Sequence, residues 1–215
     1  MNIMIRIKIM KKVKILICSL IAITLLGFSL KAGAETVAQD IKLPEPQMTG
    51  GMSLMDALKN RKSDVKFSKE QLPVEVLSNL LWAADGVNRP DGKRTAPSAM
   101  NAQVITIYAA TPDGIYKYNA DTHTLSAFSK EDVRPIVGKY PLVLMYVANL
   151  SRQSKYYASV DAGFIGQNVY LFCAANNLNT IFLYSANTYA LSNKLGLKLG
   201  EEVIFAQVVG YPVKK

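Results

Sequence analysis

The chain has 215 residues, half of them hydrophobic, with 25 Lys and Arg against 16 Asp and Glu, a net charge of +9. Six of the basic residues (Arg6, Lys8, Lys11, Lys12, Lys14 and Lys31) fall in the first 34 positions beside no acid, so the remainder holds 19 basic against 16 acidic residues, or +3. The basic balance therefore belongs mostly to the leader and gives no warrant for nucleic-acid binding.

Residues 1–34 read as a signal peptide. The early Arg and Lys residues precede an apolar run from Ile15 to Leu30, and Ala32-Gly33-Ala34 offers a small-x-small cleavage site. Cleavage after Ala34, export through Sec and a periplasmic or secreted bacterial location are expected, with no stable membrane association afterwards. The alternative is an uncleaved anchor, for which a run of about 16 apolar residues is short against a span of about 20. Cys18 lies inside the run, and no twin-arginine pair is present. The mature part, Glu35 to Lys215, is long enough to bury one core. It keeps only Cys173, so an intrachain disulfide is excluded, and this residue in an apolar helical stretch reads as a small core side chain.

Residues 35–51, with Pro44, Pro46 and Gly50-Gly51, read as a linker before a single domain at 52–215. A helix is expected from Met52 to about Arg61, with Leu54, Met55 and Leu58 on one face. Leu72-Pro73 opens a second helix, striped by Val74, Leu77, Leu80, Leu81 and Ala84 and stopped at Gly86. Between that helix and the first clear strand lies the most informative segment, Arg94 to Gln103, reading RTAPSAMNAQ. Pro97-Ser98-Ala99 supplies a turn, a hydroxyl and a small residue, and Asn101 and Gln103 add amides. Such a segment at a strand entry suits a flat heteroaromatic ligand, and Arg61-Lys62-Ser63 at the first helix end suits its phosphate.

Val104 to Ala109 reads as a strand, and Asp113-Gly114 turns the chain into a second at Ile115 to Tyr118. A further turn at Asn119 to Thr122 leads to Leu125 and Phe128. Pro141 to Val147 is almost continuously apolar, as a buried central strand is. The longest helix is expected from about Arg152 to Asn176, apolar around much of its circumference and so buried on more than one side, as in the middle of a dimer. A strand at Thr180 to Tyr184, a short helix at Ala190 to Leu195 and a strand at Val203 to Val209 complete an α+β order.

Six ordered blocks carry a resemblance: Asn60-Arg61-Lys62-Ser63 with Lys66-Phe67, Leu80 to Arg89 (LLWAADGVNR), Arg94 to Gln103, Asp113 to Leu125, Asp161 to Leu171 and Gly210-Tyr211-Pro212. In these blocks the chain resembles the nitroreductase superfamily of flavoproteins, and within it the SagB-type dehydrogenase-like branch. The resemblance implies a nitroreductase-like fold, a central mostly antiparallel sheet flanked by helices, and a homodimer whose FMN sites lie across the subunit interface. It implies an FMN oxidoreductase that moves two electrons through flavin N5 to or from a small-molecule substrate. In the SagB-type branch that substrate can be a peptide-derived azoline.

Carried over block by block, the resemblance puts Arg61, Lys62 and Ser63 on the FMN phosphate. Lys214 and Lys215 either return to the same phosphate or form a frayed tail. Pro97, Ser98, Ala99 and Asn101 would meet the flavin ring from the second subunit, while Gln103 supports the turn. Tyr184, Ser185 and Ala186 occupy the loop whose backbone amide faces flavin N5 in the family. No catalytic side chain is expected, because the flavin carries the chemistry. One His and one mature Cys make a metal site implausible, and His123, in a hairpin turn, is expected to be structural. Two departures stand out: Val65 replaces the family's second cation, and Ser185-Ala186-Asn187-Thr188 replaces a Gly-Ser segment. They motivate an alternative, a flavin-binding module of the same fold without turnover.

Overall fold

The computed structural model describes residues 39–214. The expected signal peptide and Lys215 lie outside the described residues. Seven strands form one sheet in the order β1-β4-β3-β2-β5-β7-β6, and every neighbouring pair is antiparallel. The strands are β1 (Ile41–Lys42), β2 (Ile105–Thr111), β3 (Gly114–Asn119), β4 (Thr124–Ser129), β5 (Leu142–Asn149), β6 (Asn179–Leu183) and β7 (Glu201–Gly210). The helices are α1 (Leu54–Asn60), α2 (Val74–Asp85), α3 (Lys155–Ala175) and α4 (Thr188–Leu195). The class is α+β, as the sequence implies.

A core lies on each face of the sheet. On one face α2 and α3 pack Leu80, Leu81, Val169 and Cys173 against Ile107, Leu144 and Tyr146. On the other, Leu191 and Leu195 of α4 join Val133, Tyr108, Met145 and Val208. With both faces covered, β5 has no water-facing side and runs apolar without alternation, every residue from Leu142 to Ala148 being buried. A polar thread crosses this core. The Tyr146 hydroxyl donates to Gln207 Oε1 at 2.6 Å, and Gln207 Nε2 donates to Thr180 Oγ1 at 3.0 Å and to the Gly166 carbonyl at 3.3 Å.

Local chemistry sets the element ends. Ser53 caps α1, its Oγ accepting from the Asp56 N–H at 3.1 Å and donating to the Asp56 carboxylate at 2.7 Å. Pro73 is the N-cap of α2, one position before the expected first turn. Gly86 ends α2 with φ −75°, so it is not a left-handed cap; it is small because a Cβ there would run into the Trp82 ring.

Part of the segment expected to be a linker, residues 40–44, is held against the sheet. Ile41 and Lys42 pair with Leu125 and Thr124, and Leu43 is buried. Asp40 accepts from the Ala127 N–H at 2.8 Å, and Ser78 Oγ donates to the Pro44 carbonyl at 2.5 Å. His123 completes this strap, with Nε2 at 2.7 Å from Ser78 Oγ and Nδ1 at 3.0 Å from the Tyr118 hydroxyl. Burial holds its pKa below the usual value. Among the described residues no helix is long and apolar enough to cross a membrane.

Candidate functional site

Two of the groups singled out in the sequence are hung from α3. The first begins where α1 stops. Arg61 is the C-cap, its N–H bound to the Ala57 carbonyl at 2.9 Å, and the chain then leaves extended. The Asp64 N–H donates to the Thr180 carbonyl of β6 at 3.1 Å, and Asn179 Nδ2 donates to the Lys66 carbonyl at 2.7 Å. Further on, Phe67 bridges Pro212, and the Ser68 N–H donates to the Tyr211 carbonyl at 2.8 Å. The strand edge and the chain end thus pin residues 61–68 on both sides.

Arg61, Lys62 and Ser63 are exposed on this pinned segment. The Arg61 guanidinium lies over the Tyr170 ring at 5.4 Å, and Ser63 Oγ is 2.8 Å from the Tyr170 hydroxyl. Lys62 pairs with Asp64 at 3.1 Å. The Asp64 carboxyl sits below its ordinary range, first through the Lys66 backbone N–H and then through Lys62. Arg61 and Lys62, with Lys59, line a cavity of about 640 Å³ against the end of α3 at Cys173 to Ala175 and the turn into β6 at Asn177 to Asn179. Cys173 is buried and its thiol is pushed up in pKa by burial, so it offers no thiolate there. The donors are those an anionic oxygen group needs: a guanidinium with no carboxylate on it among the described residues, an ammonium and a hydroxyl. They fit the phosphate end of the expected cofactor. Lys214 does not join them. It meets Glu70 at 3.8 Å with its side chain in solvent.

The second cluster is the segment 97–103. Ala99–Asn101 forms a 3₁₀ turn in which Met100 and Asn101 both have φ of 54°, and Gln103 follows at 48°. Backbone of this kind is costly and persists where its surroundings fix it. Ser98 Oγ accepts from the Gln103 N–H at 2.7 Å, while Gln103 Nε2 donates to the Gly92 carbonyl at 3.1 Å and to Asn101 Oδ1 at 3.2 Å. Gln103 is thus tied into the turn through both its backbone and its side chain. From α3, buried Asp161 accepts from the Ala99 N–H at 3.0 Å through Oδ1, and its Oδ2 has no partner among the described residues. Below it, Asp85 and Arg94 meet at 2.6 Å. Pro97 and Asn101 stay exposed, and Ser98 and Ala99 half-buried.

The third expected group, Tyr184-Ser185-Ala186, is the turn from β6 into α4, ahead of the N-cap Asn187. Tyr184 is exposed. The same strand thus receives the Asp64 N–H near its start and delivers this turn at its end. Asp161 and Tyr170, to which the sequence reading gave no role, do the holding on α3. One signal for Asp161 was available, since a carboxylate inside an otherwise apolar helical stretch needs a partner.

Asp161 and Tyr170 are nine residues apart on α3, which is roughly 14 Å along the axis and half a turn around it. The two clusters therefore hang from opposite sides of the helix. Also on α3, Tyr156, Tyr157, Val160 and Phe164 are exposed, as are Leu54, Met55 and Leu58 on α1.

Residues 58–211 match the model of the nitroreductase family. A candidate nitroreductase from Methanocaldococcus jannaschii is 28% identical over 165 residues, covering 66% of this chain and 82% of its own. The crystal structure of a candidate nitroreductase from Ralstonia eutropha superposes with a TM-score of 0.78 at 36% identity, over 83% of this chain and 91% of that one. The NADPH:FMN oxidoreductase from Vibrio harveyi, complexed with NAD+, superposes with a TM-score of 0.56 over 75% of this chain and 69% of that one. At 15% identity the last likeness concerns the fold alone.

Proposed function

Because the chain belongs to the nitroreductase family, we propose that it is an FMN-dependent oxidoreductase, acting as a homodimer on a small-molecule substrate outside the inner membrane. The observation that carries this reading is the pinned Arg61-Lys62-Ser63 constellation, whose guanidinium and hydroxyl are both seated on Tyr170. When bound, FMN supplies two-electron chemistry at its N5 atom. The protein's part is to bind, orient and shield it.

Arg61 can hold two phosphate oxygens with its planar fork, Ser63 can donate one further hydrogen bond, and Lys62 adds charge that Asp64 partly offsets. Pro97, Ser98, Ala99 and Asn101 would meet the ring of a flavin held by the other subunit. The opposed placement of the two clusters on α3 supports this, since a ligand touching both reaches them more directly across a second copy. The exposed apolar side chains of α3 and α1 give such a copy a face to cover. The turn at Tyr184, Ser185 and Ala186 would bring a backbone amide to flavin N5, as the resemblance implies.

The leader read from the sequence implies a compartment poor in reduced nicotinamide, which favours an extracytoplasmic donor or a dehydrogenase direction. Oxidation of a peptide-derived azoline, from the SagB-type resemblance, is one form of it. One observation favours the alternative of a flavin-binding module without turnover. Val65, at the position where the resemblance implies a cation, presents an exposed apolar side chain, and its neighbour Asp64 is an acid.

The test uses mature protein loaded with FMN and freed of excess ligand. The enzyme reading expects a retained flavin spectrum that bleaches with dithionite and recovers in air. Retained flavin that does not cycle supports the binding module, and a folded protein that retains none sinks both. Arg61→Ala is expected to weaken FMN binding about 10- to 100-fold in a fluorescence titration, the loss of a charge-assisted contact. Unchanged affinity would remove the phosphate assignment.

A further inference from the structure

Three contacts converge on Tyr170. Its ring lies beneath the Arg61 guanidinium at 5.4 Å, its hydroxyl is 2.8 Å from Ser63 Oγ, and the same hydroxyl accepts from the Phe182 N–H at 2.9 Å. We propose that Tyr170 is a positioning residue for phosphate binding, orienting Arg61 with its ring and Ser63 with its hydroxyl; the inference rests on the phosphate reading above.

Arg61 and Ser63 need such a seat. Both are exposed, at the end of a helix of only seven residues. A free arginine there would lose much rotamer freedom on gripping a ligand. A guanidinium within about 6 Å of an aromatic centroid is held by the ring quadrupole without using up its N–H donors. The fork is thus pre-placed while its hydrogen bonds stay available.

The hydroxyl adds a second control. A phenol has one hydrogen and accepts through its lone pairs. One acceptor position is taken by the Phe182 N–H. In the arrangement where the Tyr170 O–H donates to Ser63 Oγ, the Ser63 hydrogen is left free for an anionic oxygen. A chain of N–H to O–H to O–H also polarises each member toward that acceptor. Tyr170 is itself fixed, because α3 is a 21-residue helix and Phe182 lies on β6, the strand whose Thr180 carbonyl receives the Asp64 N–H.

A purely structural role, Tyr170 as a cap on the open edge of β6, makes a different forecast. The separation comes from titrating the purified protein with FMN and with riboflavin, which lacks the phosphate. Tyr170→Phe keeps the ring beneath Arg61 and removes the hydroxyl, whereas Tyr170→Leu removes both. The expected result is FMN affinity reduced about fivefold to tenfold in Tyr170→Phe and by several-fold more in Tyr170→Leu. Riboflavin affinity should stay within about twofold, so that the preference for FMN shrinks. Thermal melts check that each variant is folded, and if Tyr170→Leu is not, Tyr170→Phe carries the test alone. Equal weakening toward both flavins overturns the inference in favour of the edge cap. So does FMN preference intact in Tyr170→Phe but lost in Arg61→Ala. Wild-type protein with no preference for FMN over riboflavin overturns the phosphate reading itself, and this inference with it.

Discussion

Asp85 and Arg94 meet at 2.6 Å near the segment 97–103, both largely shielded from water. Burial pushes the Asp85 carboxyl up from an ordinary 3.8 to about 7; Arg94 opposes the shift, and Asp161 and then Asp121 add to it. A carboxyl whose pKa is higher folded than unfolded binds its proton more tightly in the native state. Its contribution to stability is full below the unfolded value, is lost as pH rises through the folded one, and is flat beyond. His123 acts in the opposite sense. Its depressed pKa stabilises the fold above the ordinary 6.5, and that contribution fades as pH falls. The wild-type curve alone mixes the two, so the informative quantity is the gap to Asp85→Asn. Wild type should gain stability relative to that variant as pH is lowered from about 8 to about 4, measured by denaturant midpoints. A gap that does not change with pH would show that Arg94 keeps Asp85 ionised throughout. The pairing was not legible in the sequence. The loop 86–95 folds back through hydrogen bonds from the Thr95 N–H to the Gly86 carbonyl and from the Asn88 N–H to the Lys93 carbonyl, with Gly92 at φ 75°. That loop geometry brings the two charges together, and periodicity does not report it.

At the scale of elements, α3 governs the site because it holds both clusters, and its distance from the sheet is set at Gly166. A Cβ there would lie 2.7 Å from two atoms of the Phe182 ring and 3.3 Å from Gln207 Oε1. Phe182 is confined by Tyr146, stacked at 5.7 Å, and by Phe205 at 5.0 Å, so the ring has little room to withdraw. Gly→Ala in a free helix stabilises by about 1 kcal/mol. Here overpacking should win, and Gly166→Ala is expected to destabilise by about 1–3 kcal/mol. Equilibrium unfolding in urea reads this directly, and a stabilised variant would mean that the helix can lift away from the sheet. The long helix itself was legible, expected over 152–176 and observed at Lys155–Ala175, because length and apolar content are strong local signals. Strand β1 was not legible. It is two residues long, stands beside Pro44, and pairs with Leu125 and Thr124, more than 80 positions away in sequence. A strand defined by its partner leaves no alternation to read.

At the scale of the whole molecule, the proposed dimer makes the strongest demand. Tyr156, Tyr157, Val160 and Phe164 leave rings and branched side chains in water along one side of α3, at 74%, 47%, 42% and 44% exposure. A single chain gains nothing from that arrangement, whereas a second copy would bury it. The sequence hinted at this face, since a helix apolar around much of its circumference needs a cover on more than one side. It could not say which part faced the sheet and which faced outward. Phe164→Glu places a charge at the end of the exposed stripe, near the middle of α3, without touching the buried side at Ala162, Ile165 and Val169. Burying that charge unpaired is costly, so the variant is expected to sediment as a folded monomer where wild type sediments as a dimer. The site supplies a second readout. If the segment 97–103 serves a flavin held by the other subunit, the monomer loses ring contacts while Arg61, Lys62 and Ser63 remain. Its affinity should then fall for riboflavin as well as for FMN, unlike that of Tyr170→Phe. A folded monomer that holds FMN as tightly as wild type would place the whole site within one chain, and would leave the opposed clusters on α3 as two separate surfaces.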